Sequence, residues 1–178
     1  MIARLARCIA LAGALAGLCC GEAAATSDAG HQRVAVFDFE LIDTSLEGEA
    51  HGTRVDEQAR LGRVSEQLRQ RLAESGRFTV VDIAPVASEA KAQNLQSCGG
   101  CDVDLAKRIG ADLAITGAVQ KVSNLILNMT IFVRDASSST TIAVMNADMR
   151  GNTDESWSRT LDWLVRNRLL APDYGARR

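Results

Sequence analysis

The chain has 178 residues, 47% of them hydrophobic and 4% aromatic, and its 20 basic residues are balanced by 22 acidic ones. This length and apolar fraction suit one folded domain with an ordinary core, and they exclude both two large domains and a disordered chain. The net charge of −2 excludes the strongly basic surface on which nucleic-acid binding depends.

The first 25 residues have the order of a secretory signal peptide. Arg4 and Arg7 give a positive start, an apolar run follows at 8–20, and small residues occupy 23–25. The apolar run is shorter than the ~20 residues that span a bilayer. We therefore expect cleavage after Ala25 rather than a membrane anchor.

An exported bacterial protein is expected in the periplasm. Neither Cys19 nor Cys20 follows the small residue that lipid attachment requires, and Arg and Ala are abundant, as in high-GC bacterial genomes. No later apolar run is long enough to span a membrane. We predict a flexible start at 26–32, a single domain over 33–171 and a frayed tail at 172–178.

The first half of the domain predicts a strand, a helix and a second strand. Residues 33–43 carry apolar side chains on both faces, which predicts a strand covered on both sides, and the polar stretch 44–53 is predicted to be a loop. Apolar side chains at helical spacing predict a long helix over 55–74, and 77–83 predicts a strand. This spacing is typical of a βαβ unit with parallel strands.

The second half predicts two weaker helices, three strands and a final helix. The weaker helices cover 86–93 and 102–109, and the final helix covers 153–170. Residues 111–151 predict three strands joined by short turns, the middle one buried on one face. The buried positions are Leu127, Met129, Ile131 and Val133. The predicted order is β-α-β-α-α-β-β-β-α, an α/β (α+β-like) fold with a mixed sheet of about five strands and helices packed on it.

Two segments resemble known families. The sequence VAVFDFE, a long helix, GRFTVVD and RIGADLAITGAV together resemble the small α/β domain of the TolB amino-terminal and CsgG-like envelope proteins. More narrowly, CGGCDVDLAKRIGADLAITGAVQKVSNLILNM resembles an uncharacterised family of exported proteobacterial proteins that share the Cys-Gly-Gly-Cys turn and the QKVSNLILN segment. The resemblance covers nearly all of the chain after the signal peptide.

These resemblances imply envelope assembly and protein–protein contact rather than catalysis. The narrow family is also associated with genes for periplasmic quinoprotein alcohol oxidation. Neither resemblance carries a catalytic residue over to this chain.

Cys98 and Cys101 are the two cysteines that remain after the predicted cleavage. In an oxidising periplasm we expect a structural disulfide, which would stabilise the fold by about 2 kcal/mol. A redox pair is an alternative, because a C-x-x-C turn at a helix start lowers a thiol pKa. A metal site is another, but it needs two more ligands, and the histidines, His31 and His51, lie at loose positions.

Two polar groups are candidates for binding. The loop 43–53 follows a predicted parallel strand, where open α/β sheets often bind ligands, although short acidic loops are usually only solvated. Its candidate side chains are Asp43, Glu47, Glu49 and His51, which could serve a hard metal or acid–base chemistry. The second group surrounds a predicted hairpin and could bind a partner or a small polar ligand, or satisfy the turn backbone. It comprises Gln120, Lys121, Ser123, Asn124 and Asn128.

Three further side chains have predicted environments. Asp38 is expected to be partly buried within the first strand, in a hydrogen-bond network. Trp157 and Trp163 fall on different faces of the last helix, so we expect one in the core and the other on a contact surface.

The chain lacks the common catalytic motifs G-x-S-x-G, the Walker loop, G-x-G-x-x-G and H-E-x-x-H. We therefore predict no catalytic residue, no cofactor and no enzymatic activity. The predicted function is that of a periplasmic domain that binds another envelope protein. The alternatives are a thiol–disulfide redox protein that uses Cys98 and Cys101, and a carrier of a small ligand or metal.

Overall fold

The computed structural model describes residues 31–171, so the predicted signal peptide, its cleavage site and the tail from 172 lie outside the described residues. The strands are β1 (Gln32–Val36), β2 (Glu40–Asp43), β3 (Phe78–Val81), β4 (Leu113–Ser123), β5 (Ile126–Asp135) and β6 (Thr141–Met149). The α-helices are α1 (Leu46–His51), α2 (Val55–Glu74), α3 (Ala87–Ala92), α4 (Cys101–Arg108) and α5 (Asp154–Leu164). A 3₁₀ turn, Ala84–Val86, precedes α3, and a π-helical segment, Val165–Leu169, continues α5.

The strands form one mixed sheet in the order β3-β1-β4-β5-β6, and β2 pairs with β4 beyond the end of β1. β1 is parallel to both β3 and β4, whereas β4, β5 and β6 are antiparallel. The predicted mixed sheet with packed helices and the predicted parallel βαβ unit are therefore confirmed. β1 begins at Gln32, so the last residue of the stretch predicted to be flexible belongs to the sheet.

The first strand is not continuous, contrary to the prediction over 33–43. Val36 pairs with Ile115 and Glu40 with Ala118, so three residues of the first strand lie opposite two residues of β4. The ring of Phe39 occupies the space beside Gly117 that a Cβ atom would need. The backbone N–H of Phe39 donates to Ser65 Oγ at 2.9 Å instead of to the sheet. This bulge divides the predicted strand into β1 and β2.

The interruption also changes the environment of Asp38. We predicted a partly buried carboxylate, but Asp38 lies between the two strands, with 67% of its side chain exposed, and it pairs with Arg69. The predicted loop 44–53 is likewise wrong, because it contains α1. Ser45 caps this helix by accepting a hydrogen bond from the Gly48 N–H at 3.1 Å.

Two hydrophobic clusters cover different parts of the sheet. On one face, α2 and α5 pack on β4, β5 and β6. The predicted alternation in β5 is confirmed, because Met129 and Ile131 are buried. Trp157 belongs to this core and Trp163 is 42% exposed, which confirms that they occupy different faces. The second cluster, from α3 and α4, includes no residue of β5 or β6. Within residues 31–171, no helix therefore covers the second face at the outer end of the β4–β5 hairpin.

Among the helices of residues 31–171, none combines the length and the apolar character that a membrane span requires.

Candidate functional site

A buried ion cluster lies where β2, β4, α1 and α2 meet. Lys121, near the end of β4, is only 1% exposed. Its Nζ atom lies 3.2 Å from Asp43 Oδ2, 3.1 Å from Glu47 Oε2 and 2.7 Å from Glu57 Oε1. A lysine ammonium has three N–H donors, so three carboxylates match its full donor capacity.

The electrostatics fix the charge state of this ion cluster. Burial opposes the charge on Lys121, but its hydrogen bonds to Glu57, Glu47 and Asp43 raise its pKa above the ordinary value. Burial similarly raises the pKa of Asp43, but hydrogen bonds from Ser45 and Lys121 outweigh it and lower that pKa. The pKa of Glu47 is lowered first by the hydrogen bond from Asn124 and then by Lys121. At neutral pH Lys121 is thus a paired cation rather than a neutral amine that could act as a nucleophile or base.

Two asparagines extend the cluster to the turn of the hairpin. Asn124, in the β4–β5 turn, donates to Glu47 Oε2 at 2.9 Å. Asn152, in the loop before α5, donates to Glu57 Oε1 at 2.6 Å and to Asn124 Oδ1 at 3.1 Å. The indole N–H of Trp157 in turn donates to Asn152 Oδ1 at 2.9 Å. These bonds connect the turn, the start of α2 and the core.

The structure joins members of the two polar groups that the sequence suggested separately. Asp43 and Glu47 of the first group meet Lys121 and Asn124 of the second. Glu49 and His51 of the first group stay exposed on α1, outside the ion cluster. We expected Lys121 as a possible contact residue, but it is buried and binds the carboxylates of the ion cluster instead.

The remaining hairpin residues have two different environments. Ser123 Oγ accepts from the backbone N–H groups of Leu125 and Ile126, both at 3.2 Å, so this hydroxyl serves the turn backbone. Gln120 and Asn128 are paired across β4 and β5 on the outward face. The Asn128 amide donates to Asp148 Oδ1 at 3.0 Å. These two amides therefore remain at the surface.

Sequence reasoning missed Glu57 and Asn152. Glu57 lies on α2, which was predicted from its apolar spacing alone. Its Oε2 atom also accepts a hydrogen bond from the Arg54 N–H at 3.2 Å. Glu57 supplies only the glutamate half of a capping box, because the residue three positions earlier is Arg54 rather than Ser or Thr, so the sequence signal was incomplete. Asn152 carried no comparable signal.

Several exposed aliphatic side chains lie close in sequence to the residues of the ion cluster. Leu46 precedes Glu47 on α1 and is 83% exposed, and Leu125 follows Asn124 in the turn and is 72% exposed. Glu47 and Asn124 are hydrogen-bonded, so these two leucines lie on the same end of the sheet. We call this end the hairpin-end surface, and its exposed aliphatic residues are Leu46, Val55, Val122, Leu125 and Ile126. Grouped apolar side chains of this size mark interaction sites more often than single exposed ones do.

The charges in and beside the hairpin-end surface are predominantly acidic. The carboxylates are Asp43, Glu47, Glu49, Asp56 and Glu57, and the cations are Arg54, Arg60 and Lys121. Most of these groups are engaged with each other. The surface therefore presents aliphatic side chains over a fixed, net acidic support.

Cys98 and Cys101 are joined by a disulfide, with Cα atoms 5.7 Å apart. Gly99 and Gly100 have φ values of 74° and 120°, a left-handed backbone that favours glycine and lets the turn close. Cys101 begins α4, and the next residue, Asp102, is buried against Arg134 at 3.0 Å. The disulfide holds the start of α4 and lies apart from the ion cluster in sequence and in the sheet.

A resident metal finds no ready site in the part of the chain that the structure describes. Neither sulfur of the disulfide is a free thiolate. Within residues 31–171, His, Cys, Asp and Glu side chains form no group of three or more that could hold an ion. The carboxylates of the 43–53 segment contact Lys121 instead.

Residues 32–169 match the family DUF3280, which is described as "Protein of unknown function (DUF2380)". The match shows a family of unknown function, and the Cys-Gly-Gly-Cys turn and the QKVSNLILN segment as features of that family stay a prediction. No curated protein matches the chain.

Several solved structures share parts of the architecture. The LpoB C-terminal domain from Salmonella enterica is 15% identical, with a TM-score of 0.48, over 67% of this chain and 83% of that one. Lipoprotein GNA1162 from Neisseria meningitidis is 15% identical, with a TM-score of 0.48, over 79% and 97%. TolB from Acinetobacter baumannii is 10% identical, with a TM-score of 0.43, over 78% of this chain and 29% of that one. These structures are too distant to transfer a function.

Proposed function

Since this chain belongs to the DUF3280 family of unknown function, we propose a role from its own geometry: the domain binds another envelope protein through the hairpin-end surface. The observation that carries this proposal is the group of exposed aliphatic side chains above the saturated ion cluster of Lys121. Because the cluster holds the turn and α1 in place, little conformational entropy is lost when a partner docks.

The chemistry of the surface specifies its partner. The aliphatic side chains favour an apolar centre on the partner. The excess of carboxylates favours Lys or Arg at the partner's rim, and it disfavours an anionic lipid surface. We therefore propose a protein partner with an aliphatic patch and a basic border.

The predicted signal peptide supports an envelope location, and the paired state of Lys121 supports a non-enzymatic role. Neither the DUF3280 family nor the similar solved structures point to quinoprotein alcohol oxidation, so that association stays a prediction.

Site-specific cross-linking tests the docking surface. A photoreactive residue at Leu125 and a matched one at Ser138, in the exposed turn at the opposite end of β5, are compared in intact cells. We expect one defined protein to be captured from Leu125 and not from Ser138. With that protein purified, Leu125→Asp should weaken binding at least tenfold, and added salt should weaken the wild-type complex. Equal capture at both positions, or unchanged binding by Leu125→Asp, contradicts the proposal.

The alternative of a redox function rests on the position of Cys101 at the start of α4. A helix start favours a thiolate, but Asp102 and Asp104 place carboxylates in the same turn, which opposes it. The reduction potential distinguishes the two roles. A value below about −300 mV indicates a structural disulfide, and a value near −200 mV indicates a redox role.

A further inference from the structure

A crevice of about 490 Å³ opens between α2 and α3. Its walls are the connection from β1 to β2, one side of α2, and α3 with the loop up to Leu95. This volume lies within the range of small-molecule sites. None of the residues of the hairpin-end surface lines the crevice.

The topology explains where the crevice lies. Helix α2 packs on one face of the sheet, and α3 and α4 pack on the other. The two layers separate beyond the carboxyl ends of β1 and β3, which is where open α/β sheets bind ligands. The loop 43–53 was only a candidate for such a site, since short acidic loops are usually solvated. The interruption at 37–39 ends β1 earlier and places the opening there.

Gly62 shows that the space is not closed by packing. It lies inside the 20-residue helix α2, where glycine is among the least favourable residues. A Cβ atom added at Gly62 would meet nothing within 4 Å, although Gly62 lines the crevice. Neither close packing nor a turn requires glycine here, so the wall of the crevice has room for a side chain at this position.

Glu40 gives the crevice its chemical preference. Its Oε1 atom accepts from the Leu95 N–H at 2.7 Å. Its Oε2 atom is buried and has no hydrogen-bond partner among the described residues. A buried polar atom without a partner is unfavourable, so an incoming donor would be stabilised there. Asp38 also lines the crevice, but its carboxylate is already paired with Arg69, so Glu40 is the carboxylate open to a ligand.

The rest of the lining is mixed: Phe39, Leu61, Ile83 and Leu95 are apolar, and Gln58 and Gln93 are polar. Lys91 also lines the crevice, but it is exposed on α3 and makes no hydrogen bond to Glu40 within residues 31–171. We propose that the crevice binds a small primary amine with an apolar body, its ammonium group directed to Glu40 and its apolar part to Phe39 and Leu61.

Hexylammonium, hexanol and hexanoate test this proposal, because they share an apolar chain and differ in charge. Each is titrated into the purified protein while backbone amide chemical shifts are recorded. We expect hexylammonium to shift residues of the crevice and to bind at least tenfold more tightly than hexanol, with hexanoate weakest. Equal binding of the three compounds, or no binding of hexylammonium, overturns the proposal.

Two variants locate the binding. Gly62→Leu fills the open space and should weaken hexylammonium binding at least tenfold, whereas Gly62→Ala is the matched control that should retain it. Glu40→Gln should bring hexylammonium down to the level of hexanol. Circular dichroism establishes that each variant is folded. Unchanged binding by folded Gly62→Leu, or an unchanged preference for the ammonium in folded Glu40→Gln, also overturns the proposal.

Discussion

The buried ion cluster of Lys121 and the buried ion pair of Asp102 lie at opposite ends of the sheet. They differ in how completely their polar atoms are hydrogen-bonded. Lys121 meets three carboxylates at the hairpin end. Asp102 meets Arg134 beside the disulfide, where Asp102 Oδ2 and Arg134 Nε have no hydrogen-bond partner among residues 31–171. The first arrangement fixes a surface through its own contacts, whereas the second lies where a covalent bond already holds the start of α4. The hairpin end is thus stabilised by ionic contacts, whereas the start of α4 is stabilised by a disulfide.

Removing the Lys121 ammonium should have the largest effect. Lys121→Met leaves Glu57, which is fully buried, without its cation. Because an uncompensated buried charge is costly, we expect the free energy of unfolding to fall by about 3–5 kcal/mol. Urea denaturation measures this loss.

Arg159→Met is the matched control for Lys121→Met, because Arg159 and Glu155 form an ion pair that is mostly exposed. It should leave stability unchanged. If both variants unfold at the same urea concentration, the cluster does not support the hairpin end.

Loss of the disulfide should have an intermediate effect. We expect the double variant Cys98→Ser, Cys101→Ser to lose about 2 kcal/mol, because closing so short a loop removes little entropy from the unfolded chain. The hairpin end should be unaffected, and amide hydrogen exchange can show this separately for α4 and for the β4–β5 turn. Faster exchange in the turn would show that the two ends are coupled.

A change to mildly acidic pH should have the smallest effect on stability. The sign of this effect should differ between the wild type and Lys121→Met. The folded-state pKa values of Asp43 and Glu47 lie below the ordinary 3.8 and 4.5, so their stabilisation is complete above these values and is lost as the pH falls through the folded values. Between pH 7 and pH 4 the wild type should therefore lose a little stability. Lys121→Met should gain stability over the same range, because protonation relieves its unpaired carboxylates.

Urea midpoints at pH 7 and pH 4 measure both trends. A wild type and a variant that respond to acid in parallel would show that Lys121 does not set the charge state of its neighbours.

Local patterns predicted most of the fold. The apolar spacing of α2 gave its bounds, Val55–Glu74, because one face of that helix packs on the core along its whole length. The interruption after β1 was not predictable, since it depends on Phe39 packing beside Gly117, a residue distant in sequence. The prediction that Asp38 is partly buried was wrong for the same reason, because Asp38 lies in this interruption.

The candidate site was predictable only in its parts. Asp43, Glu47, Lys121 and Asn124 were each recognised as polar residues near strand ends, but their meeting depends on the pairing of β2 with β4. Lys121 resembled an exposed hairpin residue, because its burial comes from α1 and α2 rather than from its neighbours in sequence. Val55 had no signal of exposure, since an apolar residue at a helix start usually faces a core, and α1, which carries Leu46, was predicted to be a loop.

The hydrogen bond from the Trp157 indole to Asn152 has a practical consequence. Asn152 also contacts Asn124, in the turn that carries Leu125, so the environment of a core fluorophore is connected through one amide to the outside of the protein. The chain contains two tryptophans, and replacing the exposed one, Trp163→Phe, leaves a single emitter. The emission wavelength of Trp157 would then report in real time whether the surface at the β4–β5 turn is occupied, without any attached dye.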